Sequence, residues 1–176
     1  VSNGMTLIIH DRYVTEGSQI LPGGESIVFH RLEGNGTNIE IIDSELETGA
    51  SGNIDDSSLD NGSYSNHGYV DLNSLPEGAT VLMTDGDPSH VVTFSYQYGA
   101  GTVIYSTIPL DHYLANSGNS GLNANMQIYA ANLLEDFAKG NGAIYETRDS
   151  TDVVEVDDTT DDGRNVLSGA LSVVDD

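Results

Sequence analysis

Three histidines and an aspartate follow apolar runs closely enough to meet at one edge of a sheet. His10 ends an early apolar run, Asp11 follows it, and His112 comes shortly after a late apolar run. His67 lies in a long polar segment that could reach the same edge. Open α/β sheets bind ligands at the carboxyl ends of their strands, and imidazole with carboxylate suits a transition metal. We therefore take His10, Asp11, His67 and His112 as ligand-binding candidates, against the commoner use of a loop histidine as a hydrogen-bonding partner of the backbone.

The end of the chain carries more carboxylates than its turns require. Clustered carboxylate oxygens are the ligands that calcium prefers, so this stretch predicts a calcium site. A solvated, flexible acidic spacer is the alternative. The predicted metal ligands are Glu155, Asp157, Asp158, Asp161, Asp162, Asp175 and Asp176.

Further polar groups lie in loops before these. Residues 44–68 are rich in Gly, Ser, Asn and Asp, with too few large apolar side chains to form a core, so we expect a functional, ion-stabilised or mobile loop. Tyr64 in this segment and Tyr69 directly after it could stack on sugars, although core or turn packing is the commoner use of tyrosine. Five loop aspartates fit no calcium-loop pattern and are interpreted as turn residues or solvated charges. They are Asp55, Asp56, Asp60, Asp85 and Asp87.

The elements that must position these groups follow from the apolar pattern. Short apolar runs predict strands, and the second and third of them are separated by a glycine turn at residues 33–36. The last two runs form a hairpin, and a long helix over residues 122–139 closes the domain. Strands with a packed terminal helix indicate an α/β domain. The predicted strands are residues 5–10, 26–30, 38–43, 80–84, 91–96 and 101–107.

Charge and composition exclude several function classes. The chain has 28 acidic residues against 5 Lys plus Arg, for a net charge of −23. A surface this acidic excludes nucleic acid and anionic membranes as partners, because phosphate binding needs a positive footprint. Without cysteine the sequence has neither a disulfide nor a thiol nucleophile. No apolar stretch reaches the roughly 18 residues of a membrane span.

The last thirty residues resemble the opening of a VCBS or cadherin-like repeat. Short alternating runs are separated by Asp/Gly turns, and residues 167–176, Leu-Ser-Gly-Ala-Leu-Ser-Val-Val-Asp-Asp, are similar to the repeat signature "SGTLSVTDVD". Such repeats occur in tandem in large bacterial surface proteins. The resemblance implies an extracellular or cell-surface location, neighbouring repeats of the same polypeptide as partners, and calcium between domains.

The earlier part of the chain resembles the class I glutamine amidotransferase-like superfamily. Residues 1–10 look like its "G-G-x-L-v-i" strand, residues 98–106 like its late "y-G-x-G-r-V-v-y" hairpin, and residues 125–137 like its closing helix, with Asn132 on the inner Asn. The resemblance implies a mostly parallel, flavodoxin-like sheet with helices on both faces, of which this chain begins at a middle strand. It places the amidotransferase-like domain at residues 1–146 and an acidic linker with the first strands of an all-β repeat at residues 147–176.

The same resemblance predicts that the domain is not catalytic. The nucleophilic cysteine of catalytic members would fall at His10 or Asp11, and Tyr113 and Leu114 follow His112 where the family places a glutamate. We expect a non-catalytic module of an adhesin-like protein that binds a carbohydrate or protein surface ligand. The alternative is a hydrolase or metal-dependent enzyme completed by residues upstream. A third interpretation is a structural spacer that binds only calcium.

Overall fold

The computed structural model of the 176-residue chain describes residues 1, 4–14, 20–62, 64–115 and 120–140. The chain divides into two units, Val1–Gly142 and Ala143–Asp176, and every described residue belongs to the first. The predicted all-β repeat and the seven predicted calcium ligands from Glu155 to Asp176 lie outside the described residues.

The first unit is a mixed α/β structure with one large sheet. The described ranges form two helices, α1 (Leu110–Ala115) and α2 (Ser120–Gly140), and two 3-10 turns, Ser44–Glu47 and Leu72–Ser74. Neither of these helices is long and apolar enough to span a membrane. The strands of the same ranges are β1 (Thr6–His10), β2 (Phe29–Gly36), β3 (Glu40–Ile41), β4 (Thr48–Gly49), β5 (Gly52–Asn53), β6 (Asn66–Asp71), β7 (Thr80–Thr84), β8 (His90–Tyr98) and β9 (Gly101–Ser106).

The sheet is mostly antiparallel, and the prediction of a mostly parallel sheet is wrong for the described residues. Its path runs β1-β9-β8-β6-β2, and β7 pairs with β8 and with β3. Within these ranges β1 with β9 is the one parallel pair. The physical reason is connectivity: parallel neighbours need a long crossover, whereas β8 and β9 are joined by a tight turn. Gly99 takes the positive φ of 63° that this turn requires.

Two apolar clusters cover the two faces of the central hairpin. Val92 and Ile104 face α2, whose Met126, Tyr129 and Leu133 are almost completely buried. On β9 the neighbours of Ile104, Val103 and Tyr105, point to the opposite face, where they form a second cluster with Phe94 of β8. A strand with both faces buried reads as a continuous apolar run, and this is the pattern from which β8 and β9 were predicted.

Several predicted boundaries change in the structure. β2 begins at Phe29 and continues to Gly36, through the segment predicted as a glycine turn, and β3 is limited to Glu40–Ile41. β1 is half-buried, because among the described residues only β9 pairs with it. Strand β6 and helix α1 had no predicted counterpart.

The long polar segment also differs from its prediction, because it supplies core residues. Leu46 and Leu59 are fully buried and pack in the cluster beneath α2. Asn132, which is 1% exposed, donates from Nδ2 to the carbonyl oxygens of Leu46 at 2.9 Å and Gly52 at 3.3 Å. A Cβ at Gly49 would collide with the Asn132 side chain, so a glycine is needed there. Asn132 therefore holds the β4–β5 hairpin against the helix.

Candidate functional site

The candidate site surrounds the carboxyl end of β1. The pairing of β1 with β9 is extended by one residue, because the Asp11 backbone N–H donates to the Ser106 carbonyl oxygen at 2.8 Å. Both Asp11 carboxylate oxygens accept hydrogen bonds, one from the Tyr105 hydroxyl and one from the Tyr13 backbone N–H, each at 2.8 Å. Burial, together with the Asp11 carboxylate, raises the pKa of Tyr105. Asp11 thus fixes the turn that presents Arg12 and Tyr13, and this turn ends at Val14, whose left-handed φ of 58° is uncommon for a β-branched residue.

His10 lies behind this turn as a half-buried residue whose Nε2 atom is fully covered. Its Nδ1 lies 3.3 Å from the Ile108 carbonyl oxygen, and its ring packs edge-on against Tyr129 with centroids 5.8 Å apart. Since a carbonyl only accepts, Nδ1 carries the proton and Nε2 is left as an acceptor. Burial lowers the pKa of His10 to about 4, although the Ile108 carbonyl and the charge of Asp111 oppose the shift. His10 is therefore a neutral imidazole near pH 7.

A small polar cluster lies beside His10 in the interior. The hydroxyls of Thr93 and Ser106, partners across β8 and β9, are 2.8 Å apart. Burial raises the pKa of Tyr129 to about 12, although hydrogen bonding with the Ser106 and Thr93 hydroxyls opposes the shift. His10 Nε2 is buried with no hydrogen-bond partner among the described residues. Side chains this enclosed stabilise the packing of β1, β8, β9 and α2, and a substrate could reach them only by opening the core.

His67 is the second candidate at this end of the sheet. It is only 9% exposed, its ring stacks on Tyr64 with centroids 4.8 Å apart, and its backbone N–H donates to the Thr107 carbonyl oxygen. Burial lowers the pKa of His67, and the positive charges of Arg31 and Arg12 lower it further. Arg31 is paired with Gly68, the residue after His67, and donates to the Arg12 carbonyl oxygen.

Arg12 and Arg31 are functional candidates that the sequence interpretation missed. Arg31 donates from Nη1 to the carbonyl oxygens of Arg12 at 3.2 Å and Tyr13 at 2.7 Å, and its guanidinium carbon lies 5.8 Å from the centre of the Tyr13 ring. Arg12 lies 3.8 Å from a carboxylate oxygen of Asp111, with both side chains largely exposed. The sequence signal that could have identified them is the scarcity of basic residues, because these are two of only five Lys plus Arg in the chain. We call Arg12 and Arg31 the arginine pair.

His112, the remaining candidate, lies on α1 at the same end of the sheet. Its ring packs edge-on against Tyr113 at 5.2 Å, and its charge contributes to the lowered pKa of His67. The charge of Asp111 opposes the lowering of the pKa of both His67 and His10. The fold thus gathers the four candidates at one end of the sheet, but His10 and Asp11 are half-buried with their polar atoms engaged in packing contacts, and His67 is largely covered.

Tyr69 is not available as a platform for sugars. Its ring lies between those of His30 and His90, with centroid separations of 4.8 and 3.6 Å. Both imidazoles also contact carboxylates: His30 Nε2 is 3.0 Å from an Asp71 oxygen, and His90 Nδ1 is 3.1 Å from an Asp85 oxygen. This stack joins β2, β6 and β8 across their backbone pairing. Tyr64, in contrast, remains 40% exposed.

The loop aspartates serve as backbone caps. Asp56 accepts the Ile41 N–H at 2.8 Å and Asp60 accepts the Ile39 N–H at 2.7 Å, so they complete the hydrogen bonding around β3. Asp55 and Asp87 accept hydrogen bonds from serines within their own turns, which lowers the pKa of both carboxyls. In the ranges that the structure describes, no group of three or more His, Cys, Asp or Glu side chains could hold a metal ion.

The chain was also compared with known proteins. No family model, no curated protein and no solved structure matches it.

Proposed function

We propose that residues 1–146 form a non-catalytic binding module of a large, exported, adhesin-like protein. In this proposal the module is an amidotransferase-like domain that lacks the nucleophile and has a mostly antiparallel sheet, and residues 147–176 are a calcium-binding linker with the first strands of a VCBS or cadherin-like repeat. The order of elements supports the relationship: an early strand pairs in parallel with the late β9, and the β8–β9 hairpin precedes the closing helix α2.

The non-catalytic proposal rests on the contacts that His10 and Asp11 make at the carboxyl end of β1. A catalytic elbow exposes its nucleophile beside backbone N–H groups. Here the His10 ring is hydrogen-bonded to Ile108 with its Nε2 atom covered, and Asp11 has both oxygens occupied by Tyr105 and Tyr13. At the position of the nucleophile, the side chains therefore serve packing. This also argues against the alternative of an enzyme completed by upstream residues.

Glutamine hydrolysis provides the direct test. The purified chain, incubated with glutamine, should release ammonia no faster than buffer, because it has no thiol and no exposed nucleophile at the β1 end. A coupled glutamate dehydrogenase assay measures the release, with His10→Ala as the matched variant. Ammonia release above the buffer rate that disappears in His10→Ala would establish catalysis and overturn the proposal.

Calcium binding and protection from protease test the proposed role of the acidic linker. Carboxylates from Glu155 to Asp176 repel one another, and a hard cation that binds only their ordered arrangement stabilises it by mass action. We expect protease cleavage after residue 149 to be slower in calcium than in chelator, and calorimetry to detect calcium uptake. Magnesium is the control for charge alone, and the combined variant Asp157→Asn with Asp158→Asn should lose the protection. Equal cleavage in calcium and chelator, without calcium uptake, would reduce the linker to a spacer.

A further inference from the structure

The arginine pair is an unusual concentration of positive charge in this molecule. Acidic residues outnumber Lys plus Arg by 28 to 5, so carboxylates are plentiful as ion-pair partners for each arginine. Arg31 instead donates to two carbonyl oxygens and approaches the Tyr13 ring, and it forms no ion pair with any carboxylate in the described part of the chain. Among the side chains that the structure describes, its charge is held in place but not neutralised.

The backbone holds this arrangement in a fixed position. Arg31 is paired with Gly68 across β2 and β6, next to His67. A Cβ at Gly68 would collide with the His30 carbonyl oxygen, so the glycine allows β2 to approach this closely. Two hydrogen bonds and the Tyr13 ring then orient the Arg31 guanidinium, whose fork of donors also includes Nη2 and Nε. Such preorganisation reduces the entropy that ligand binding would cost.

Arg12 adds a second guanidinium whose present partner is easily displaced. Its distance of 3.8 Å from Asp111 is long for an ion pair, and the two side chains are 47% and 68% exposed. Exposed pairs of this kind contribute about 0–1 kcal/mol, so a better-placed oxyanion could replace Asp111. A guanidinium can hold a carboxylate or sulfate through two parallel hydrogen bonds, which are stronger than neutral ones.

Two exposed aromatic rings lie in this region, Tyr13 beside Arg31 and Tyr64 on His67, the neighbour of the Gly68 that pairs with Arg31. Tyr13 is 65% exposed, and Tyr64, 40% exposed, lies parallel to the His67 ring with an interplanar angle of 10°. Rings held rigidly at a surface offer apolar faces at low entropic cost, with a polar hydroxyl at the tip. The C–H faces of pyranose rings pack on such surfaces, whereas a bare inorganic anion would use only the arginines.

We propose that Arg12, Arg31, Tyr13 and Tyr64 form a binding site for an acidic saccharide. The guanidinium groups bind the carboxylate of a uronic acid or the sulfate of a sulfated sugar, and the tyrosine rings pack against the sugar faces. This inference deepens the proposed binding function and supplies its ligand class.

The binding test uses the whole chain and defined probes. Tetragalacturonate and a sulfated galactan tetrasaccharide are titrated by calorimetry, each beside its uncharged methyl-ester or desulfated counterpart, with sodium sulfate as the bare anion. We expect at least one charged sugar to bind more tightly than both its neutral counterpart and sulfate, and the better of the two identifies the oxyanion. Equal affinity for charged and neutral sugars, sulfate binding as tight as the sugar, or no binding of either charged sugar would overturn the inference.

Variants locate the site on the surface. Arg31→Gln should weaken binding by about 10-fold or more, and Arg31→Lys should weaken it less because it keeps the charge but loses the fork. Tyr64→Ala should weaken binding, whereas Tyr98→Ala, which removes a similarly exposed tyrosine at the hairpin end, should not. Unchanged affinity in both Arg31→Gln and Tyr64→Ala would place binding elsewhere and contradict the assignment.

Two further substitutions test the site without changing Arg31, in case the Arg31 variants fold poorly. Asp111→Asn removes the carboxylate beside Arg12 and should strengthen binding several-fold. Glu77→Gln, in the turn before β7, makes the same change in net charge without touching the arginine pair and should leave affinity unchanged. Equal effects of the two substitutions would contradict the site. Because glutamine hydrolysis tests the non-catalytic proposal separately, a failure to bind acidic sugars leaves that proposal standing.

Discussion

At the scale of single residues, His10 links the strand-end packing to pH. Its pKa is lowered from 6.5 to about 4, chiefly by burial, while Nδ1 donates to the Ile108 carbonyl. A base with a depressed folded-state pKa binds its proton more readily in the unfolded chain. Its contribution to stability is therefore complete above about pH 6.5 and is lost as the pH falls toward 4, with a magnitude of about 3 kcal/mol at most.

The prediction at this scale is a flatter acid response in His10→Gln. Glutamine can still donate to Ile108 but does not titrate, so its free energy of unfolding should fall less between about pH 7 and about pH 4.5 than that of the parent chain. Urea unfolding at the two pH values measures the difference. His112→Gln is the control and should retain the parent slope because His10 is still present. An identical slope in His10→Gln and the parent would exclude His10 as the source.

At the scale of elements, the polar segment before β6 depends on helix α2. Asn132 donates to Leu46 and Gly52, and Asn125 donates to the Ser58 carbonyl oxygen at 2.7 Å. Glu135 accepts the Ala50 N–H at 2.9 Å. These contacts explain how a segment poor in apolar residues stays ordered: side chains of one helix satisfy its backbone groups, so that Leu46 can be buried.

We expect Asn132→Ala to destabilise the protein by about 1–3 kcal/mol, since it leaves two carbonyl oxygens without their donor in a buried place. Gln127→Ala, on the exposed side of the same helix, should change the free energy of unfolding by less than about 0.5 kcal/mol. Urea denaturation measures both, and protease cleavage within residues 46–53 should increase only in Asn132→Ala. Comparable stability of the two variants would show that the β4–β5 hairpin does not depend on Asn132.

At the scale of the whole molecule, the net charge of −23 opposes the compact state. Salt shortens the range of this repulsion, from about 30 Å at 0.01 M to about 8 Å at 0.15 M. The free energy of unfolding should therefore rise with sodium chloride, and potassium chloride should act equally because screening depends on ionic strength. A fall in stability over this range would contradict a dominant role for self-repulsion.

Calcium chloride at the same ionic strength separates binding from screening. If the carboxylates after Asp149 take up calcium as proposed, protection of that stretch from protease should exceed the protection given by sodium chloride. Equal protection by the two salts would leave screening as the sole effect.

The sequence by itself determined the elements that depend on local pattern. The strand Thr80–Thr84 agrees with its prediction to the residue, and the β8–β9 hairpin and helix α2 agree to within a few residues. Each is specified by neighbours in the chain: alternating or continuous apolar residues, a glycine that can take a positive φ, and apolar residues three and four apart. The mixed α/β class followed from these elements.

Only the tertiary structure decided the sheet's mostly antiparallel pairing and the composition of the site. Arg12 and Arg31 are nineteen residues apart in the sequence, and Arg31 lies beyond the predicted end of its strand, so no local pattern relates them. Contacts with Ile108 and Tyr105 turned His10 and Asp11 into packing residues, and stacking between two imidazoles occupied both faces of the Tyr69 ring. Exposure and partnership depend on contacts between distant segments, and these are fixed only when the sheet forms and α2 packs against it.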